Sequence, residues 1–465
     1  GLIDGKDDSA HFIDTNAALE LVGISGEKCL TLWRAIAACL QLGNLTFAPK
    51  PGDEERTVIT SSMEFKDLAA LIGCGNDVLE KAFTERTIKT RLEVYVVPLK
   101  FDIAKESADA FAKEIYAKTF LWLVRSINDA TCAENNYAGG SSINYGLIGL
   151  LDIFGFESFP VNGFEQLCIN YCNEKLQQKF TRDIFRTVQE EYKAEGLNLD
   201  DIKYDDNSDV LELIEGKLGI IKQLNEECVR PKGNDQAFVS KALQSNKAVP
   251  CLIQKNTFDK LEFGIHHYAG AVIYKAQDFV VRNTDTLPSD MSEAARLCKN
   301  EIISKHLDNN RCTNTGAKEE ESSGGGRGPP KRAKSNLTAD TVMTQFKNQL
   351  TNLMKGLNET QSRYVRCVKP NTQKRKLVME HITTMEQLRC AGVVAAVLIS
   401  RSAYPSKLFH AEVVERYGML NEGKPKGGYP DVKTECEDIC RKMLKHLETT
   451  NKSGKTQAGF AMGKN

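Results

Sequence analysis

Residues 152–157 read Asp-Ile-Phe-Gly-Phe-Glu, and they close a run, 144–153, that is near-continuously apolar and interrupted by glycines. Such a run predicts a strand buried on both faces of a sheet, turning sharply at Gly155. A D-x-x-G turn at a strand's end is a nucleotide-sensing pattern. Asp152 can reach the shell of a Mg²⁺ ion through water, and the Gly155 N–H, with no side chain over it, can approach a terminal phosphate and report its loss. Four residues also match by chance, and an ordinary buried turn reads the same way, so the surroundings carry the weight.

Downstream, Asn162 is placed to cap a helix through a capping box with Glu165. Phe164, Leu167, Cys168, Tyr171, Leu176, Phe180 and Phe185 continue one apolar face toward Tyr192. The pattern predicts a helix of about 30 residues, roughly 45 Å long, a length suited to carrying a displacement between lobes. Upstream, residues 26–42 place Leu30, Trp33, Ala37 and Leu40 at helical spacing, a stripe expected to pack inward. Residues 102–129 repeat the pattern with Phe111, Ile115, Phe120, Val124 and Ile127. Between them, residues 87–99 alternate as a surface hairpin does. Further on, residues 263–265 and 272–274 predict two strands joined by a turn at His267, Tyr268, Ala269 and Gly270. Residues 309–336 are a Gly- and Pro-rich linker with a basic end. A helix over 338–357, a strand over 364–368, a helix over 385–400 and a small mixed lobe from Lys407 complete the chain.

With 465 residues, two to four lobes are expected. Lys and Arg total 61 against 62 Asp and Glu, a balance that argues against a nucleic-acid partner and leaves charged contacts to local patches. The 14 cysteines form no C-x-x-C pair, which points to free thiols in a reducing, cytosolic compartment. The longest apolar run, about a dozen residues, is short of the roughly 20 that span a bilayer, so no membrane segment is expected. The chain starts at Gly1 without a signal core, which suggests a piece of a longer protein.

DIFGFESF leading into NGFEQLCINYCNEKLQQKF resembles the switch II segment and relay helix of the myosin head. RTIKTR, DAFAKEIYAKTFLWLVRSIN, NEECVRPKGNDQAF, HHYAGAVIY, RYVRCVKPN and EQLRCAGV follow the family's order. The resemblance implies an α/β, P-loop NTPase-like head, with mostly helical lobes around part of a central mixed β-sheet and a small converter. Residues 1–143 would form part of the upper actin-binding lobe, with its hairpin at 87–99. The central strand and switch II would take 144–160, and the relay helix and loop 161–203. The lower actin-binding lobe would occupy 204–308, the flexible loop 2 309–336, the second central strand and thiol helix 337–404, and an incomplete converter 405–465.

Carried over, Asp152 would serve Mg²⁺ through water, Gly155 would contact the γ-phosphate, and Glu157 would pair with a switch I arginine that these residues lack. No G-x-x-x-x-G-K-[ST] loop occurs: Gly454, Lys455 and Thr456 follow Thr449, not the required glycine. ATP and Mg²⁺ would therefore need an upstream segment, and these residues alone are expected not to hydrolyse ATP. Filamentous actin would meet Leu218 and Val229 as apolar contacts and Pro231 and Lys232 in a turn, with Lys331, Arg332 and Lys334 on the basic linker and Glu93 on the surface loop. Leu199 stands in the relay loop where many myosins carry tryptophan. Cys390 occupies one reactive-thiol position and Ser400 the other. Light chains would bind only through a lever absent here. The function expected is an ATP-driven actin motor of the cytoplasmic cytoskeleton. A non-motor actin-binding head, and a kinesin- or G-protein-like switch without actin, remain as alternatives.

Overall fold

The computed structural model describes residues 2–3, 5–89, 93–131, 146, 148–197, 207–253, 260–284, 287–306, 341–394, 397, 407–421, 425, 427–445, 449–450, 456–457 and 460–464. The chain divides into two compact units, residues 1–150 with 285–324, and residues 151–284 with 325–465.

In the first unit, helix Gly26–Gly43 packs along helix Phe101–Thr131. The expected period is present but its phase differs. Leu32, Ala35, Ala38 and Leu42 are buried, while Leu30 and Leu40 face outward. Both stripes are apolar, and the buried one carries the two small alanines that let a second helix approach closely. Phe111 and Ile115 of the long helix are buried as expected, but Phe120 and Ile127 are exposed. Helices Ser62–Ile72 and Asn76–Thr84 close the core, where Phe83 meets Phe47 and Phe111 edge to face. The expected hairpin forms from Glu85–Lys89 and Val94–Pro98 in antiparallel register. Helices Ser289–Arg296 and Glu301–His306 also belong to this unit, burying Met291, Ala294, Ala295 and Ile303 in the same core. The stretch 204–308, expected as one lobe, therefore divides near residue 285.

Among the described residues of the stretch 144–153, which runs from the first unit into the second, the predicted buried strand is not found. Residues 148–158 pair with no strand, and Ile148 and Leu150 are 92% and 98% exposed. A buried strand needs neighbours on both edges to satisfy its N–H and C=O groups, and no described strand lies beside this one. All five sheets among the described residues are antiparallel and two- or three-stranded, so the expected central mixed sheet is absent from them. Their one parallel pairing is the isolated bridge Asn162 to Tyr274.

Helix Phe164–Ala194 runs for 31 residues, close to expectation. Its cap lies one residue later than predicted. Gln166 Oε1 accepts from the Gly163 N–H at 2.9 Å, whereas Asn162 hydrogen-bonds to Phe159 and to the Ile273 carbonyl, and Glu165 pairs with Arg282. Phe164, Leu167 and Tyr171 anchor a core shared with helices Ser208–Glu215, Ile220–Val229 and Asp235–Ser245. The three-stranded sheet Leu252–Ile253, Glu262–His267 and Gly270–Lys275 completes that core and contains the predicted strand pair.

Helix Val342–Asn358 starts at a Thr341 cap, later than the expected 338, which lies outside the described residues. Residues 364–368 form no strand: no described strand pairs with their backbone, and the Tyr364 and Arg366 side chains lie against Phe180. The helix expected over 385–400 is interrupted: His381–Cys390 ends where Gly392 takes φ +70°, the left-handed termination that glycine permits, and residues 393–394 and 397 are again helical. Helices His410–Tyr417 and Val432–Met443 pack on each other through Val413, Cys436 and Ile439, and strands Thr449–Thr450 and Thr456–Gln457 pair antiparallel in the same stretch of the chain.

Candidate functional site

Three carboxamides on one face of helix Phe164–Ala194 hold the segment 154–157. Asn173 Nδ2 donates to the Phe154 carbonyl at 3.0 Å. Asn170 accepts from the Glu157 N–H and donates to the Glu157 carbonyl, each at 2.8 Å. Gln166 Nε2 donates to the Glu157 carboxylate at 3.2 Å. Positions 166, 170 and 173 are one and two turns apart, so they align along the helix. Phe156 sets its ring edge against His267 and Tyr268, at 5.2 and 5.5 Å.

Of the three sequence-predicted residues, only Glu157 is tied down. Asp152 and Gly155 are exposed, and a Cβ on Gly155 would meet nothing within 4 Å. That leaves the Gly155 backbone open to a ligand. Among the described residues no group of three His, Cys, Asp or Glu side chains could hold a metal ion. One carboxylate and one open N–H do not make a triphosphate cradle, which needs strand, glycine loop and helix together. These residues by themselves do not hold ATP and Mg²⁺.

Beneath this tether lies a buried polar chain. Asn170 Nδ2 donates also to the Tyr274 hydroxyl at 2.9 Å, which lies 2.8 Å from His267 Nε2. His267 Nδ1 lies 2.9 Å from Glu174 Oε1, which also accepts the Tyr268 N–H. Proton counting fixes the directions. The arrangement that gives every buried proton an acceptor has the Tyr274 hydroxyl donating to His267 Nε2 and His267 Nδ1 donating to Glu174. The reverse arrangement would strand the tyrosine proton in an apolar pocket at a cost of about 1–3 kcal/mol. Burial pushes the Tyr274 and Tyr268 hydroxyl pKa values up, so both stay protonated. Sequence reading missed Asn170 and Glu174. The signal was available, since both polar residues sit among the apolar positions of the inward stripe, where a buried polar group needs a partner.

The same helix is gripped along the rest of its length. A Cβ on Gly392 would overlap the Gln177 carboxamide, and the Tyr268 hydroxyl donates to the Cys390 carbonyl at 2.8 Å. Phe180 packs edge to face on Tyr364 at 4.7 Å, with the Arg366 guanidinium 4.6 Å above its ring. Tyr364 donates to Asp183 at 2.6 Å, and Lys179 pairs with Asp183 at 2.8 Å. Burial works to raise the Asp183 pKa, but Lys179 and Tyr364 outweigh it and hold it below the usual range. At the far end, Lys407 reaches Glu191 at 2.8 Å and caps the Tyr192 ring at 4.7 Å. The Lys464 N–H donates to Glu195 at 2.7 Å.

The predicted apolar contacts flank helix Ile220–Val229, Leu218 59% and Val229 41% exposed, with Pro231 and Lys232 exposed in the turn that follows. Glu227 supports this turn from within. Only 1% exposed, it pairs with Lys241 at 2.5 Å and Arg230 at 3.4 Å. A Cβ on Gly233 would overlap the Glu227 carbonyl. Glu93 is exposed beside strand Val94–Pro98, its carboxylate bonded to the Tyr95 hydroxyl. Lys331, Arg332, Lys334, Leu199 and Ser400 lie outside the described residues. Cys390 is half-buried, and burial pushes its thiol pKa up.

Residues 1–461 match the family model described as myosin head (motor domain). Protein OPAQUE1 of Zea mays is 37% identical over 448 residues, 95% of this chain and 27% of that protein. Myosin-17 of Arabidopsis thaliana is 35% identical over 468 residues, 99% of this chain and 28% of the relative. Myosin-52 of Schizosaccharomyces pombe is 35% identical over 468 residues, covering 99% and 29%. The chain thus spans under a third of the length of each of these relatives. A match along nearly all its residues, in the segments that build the tether as well as in those around it, establishes that the chain belongs to the myosin head family.

Proposed function

We propose that these residues belong to an ATP-driven, actin-based motor and form the path from nucleotide state to lever movement. One observation carries this reading. A single 31-residue helix is hydrogen-bonded to 154–157 through Gln166, Asn170 and Asn173 and, at its other end, to residues 407 and 464 of the small lobe. A helix satisfies its own backbone and is stiff over such a length, so displacement of the 154–157 backbone passes to its far end. In this reading 152–157 is switch II, helix Phe164–Ala194 is the relay helix, and residues 405–465 are converter. Asp152 approaches Mg²⁺ through water, the open Gly155 N–H meets the γ-phosphate, and Glu157 pairs with a switch I arginine. ATP and Mg²⁺ bind jointly with a phosphate loop that these 465 residues do not contain.

Actin is met by the exposed Leu218 and Val229 with Pro231 and Lys232, an apolar centre with a charged rim. Lys331, Arg332 and Lys334 of loop 2 add a salt-sensitive attraction, and Glu93 adds a fixed carboxylate on the surface loop. Light chains would engage only a lever beyond these residues. The setting is the cytoplasmic actin cytoskeleton. No helix among the described residues is long and apolar enough to cross a membrane.

Two measurements test the proposal. The 465-residue chain should pellet with filamentous actin at low salt and release as salt rises, while showing no saturable binding of fluorescent ATP at micromolar concentration. In a complete head, Asn173→Ala should slow filament gliding at least several-fold more than it slows ATP turnover, because it loosens transmission. Equal losses in both, or no pelleting, would overturn the reading.

A further inference from the structure

Two cysteines 224 positions apart face each other in the first unit. Helix Ser62–Ile72 ends at Gly73, with φ +68°, and the chain then runs against residues 298–300. The Asn300 N–H donates to the Ile72 carbonyl at 3.1 Å, and the Lys299 N–H to the Gly73 carbonyl at 3.2 Å. This register, 72 with 300 and 73 with 299, sets Cys74 opposite Cys298. Both thiols lie against one acceptor, the Ala294 carbonyl, with Cys298 Sγ at 3.4 Å and Cys74 Sγ at 3.9 Å. Both are buried beside Ile72, Leu79 and Ala295, and neither takes part in the tether or the docking turn. We propose that Cys74 and Cys298 form a reversible oxidation site, at which a hydroperoxide closes a disulfide between the two segments.

The interaction of the two neighbouring thiols lowers the Cys74 pKa and raises that of Cys298. Cys74, the readier thiolate, is therefore the nucleophile. Its sulfur attacks one oxygen of hydrogen peroxide. An S–O bond forms, the O–O bond breaks, and the departing hydroxide takes up the proton Cys74 released and leaves as water. Cys298 then attacks the Cys74 sulfenic sulfur. The S–S bond forms, the S–O bond breaks, and the hydroxyl leaves as water with the Cys298 proton. Two thiols lose two hydrogens and two electrons, and one peroxide becomes two waters. Both sulfurs lie against the same carbonyl oxygen, so the bond forms when they close on each other to the roughly 2 Å of a disulfide. The bridge would also fix the C-terminal end of helix Ser289–Arg296, in whose first turn the Asp290 carboxylate accepts the Thr87 N–H at 3.1 and 3.2 Å. Oxidation would thus steady the base of the exposed hairpin.

The test uses the reduced 465-residue chain, exposed to a small excess of hydrogen peroxide at neutral pH in its folded state. Remaining thiols are alkylated in denaturant and the chain is digested without reductant. The expected product is one linked pair of peptides containing Cys74 and Cys298, two hydrogens lighter than the separate thiol peptides and released by dithiothreitol. In Cys298→Ser the link should vanish and dimedone should trap Cys74 as sulfenic acid. Recovery of both cysteines fully alkylated from the wild-type chain, or Cys74 bridged to a different cysteine, would overturn the proposal. The wild-type digestion is sufficient by itself, so the test holds even where the variant folds poorly.

Discussion

Helix Phe164–Ala194 and the run just before it, residues 148–154, are both rich in large apolar side chains, yet they end in opposite states. The helix lies with Phe164, Leu167, Tyr171 and Phe180 buried, while Ile148, Leu150 and Phe154 face outward. A helix closes its backbone hydrogen bonds four residues away, inside itself. A strand closes them on other segments. Apolar composition alone therefore predicts burial well for the first and poorly for the second.

Proline separates the two cases most sharply. In the isolated 465-residue chain, Leu176→Pro should cost about 3 kcal/mol or more, since it removes an internal hydrogen bond and crowds the preceding turn. Leu150→Pro should stay within about 0.5 kcal/mol, as a change on an exposed and unpaired segment. Urea unfolding of both variants measures the gap. Equal costs would mean that residues 148–154 are packed after all.

The same division explains what could be read from sequence. The long helix, the hairpin Glu85–Lys89 with Val94–Pro98, and the strand pair around His267 to Gly270 rest on local pattern and were legible. The phase of helix Gly26–Gly43 was not, because Leu30 and Leu40 make as good a stripe as Leu32 and Leu42, and only the approach of a partner helix selects between them. At the candidate site, Asp152, Gly155 and Glu157 were found by motif, and the docking turn was found by resemblance. Asn170, Glu174 and Tyr274 were missed because their partners lie up to 104 residues away.

Asn170 offers the next test, for it carries nonlocal bonds on a locally stable helix. Asn170→Ala leaves the helix intact but strips partners from Glu157 and Tyr274, for a cost of about 2 kcal/mol. Hydrogen exchange should show faster exchange at the Glu157 amide, with the amides of residues 176–190 unchanged. Uniform acceleration along the helix would show that the helix depends on the tether.

The turn at 230–234 stands between the extremes, shaped by a carboxylate within its own helical hairpin. Burial works to raise the Glu227 pKa, but Lys241 and Arg230 outweigh it and hold it below the usual carboxylate range. Glu227→Ala should cost about 1 kcal/mol and lower actin affinity in co-sedimentation. Because the folded pKa is depressed, this contribution is complete above the ordinary value of about 4.3 and fades as pH falls through the folded value. A wild-type advantage that grows on acidification would contradict the assignment.

The smallest effect is expected where the helix meets residues 364–366. Tyr364→Phe removes one hydrogen bond to Asp183 at a partly exposed site and keeps the ring on Phe180, so the loss should be about 0.5 kcal/mol at neutral pH. Its sign with pH is fixed by Asp183, whose carboxyl is held below its ordinary value partly by that hydroxyl. The stabilisation is present above about pH 3.9 and declines as pH falls through the lower folded value, so variant and wild type should converge in acid. Paired urea titrations at neutral pH and near pH 3 read this directly. A difference that persists undiminished in acid would show that the hydroxyl's contribution does not depend on the charge of Asp183.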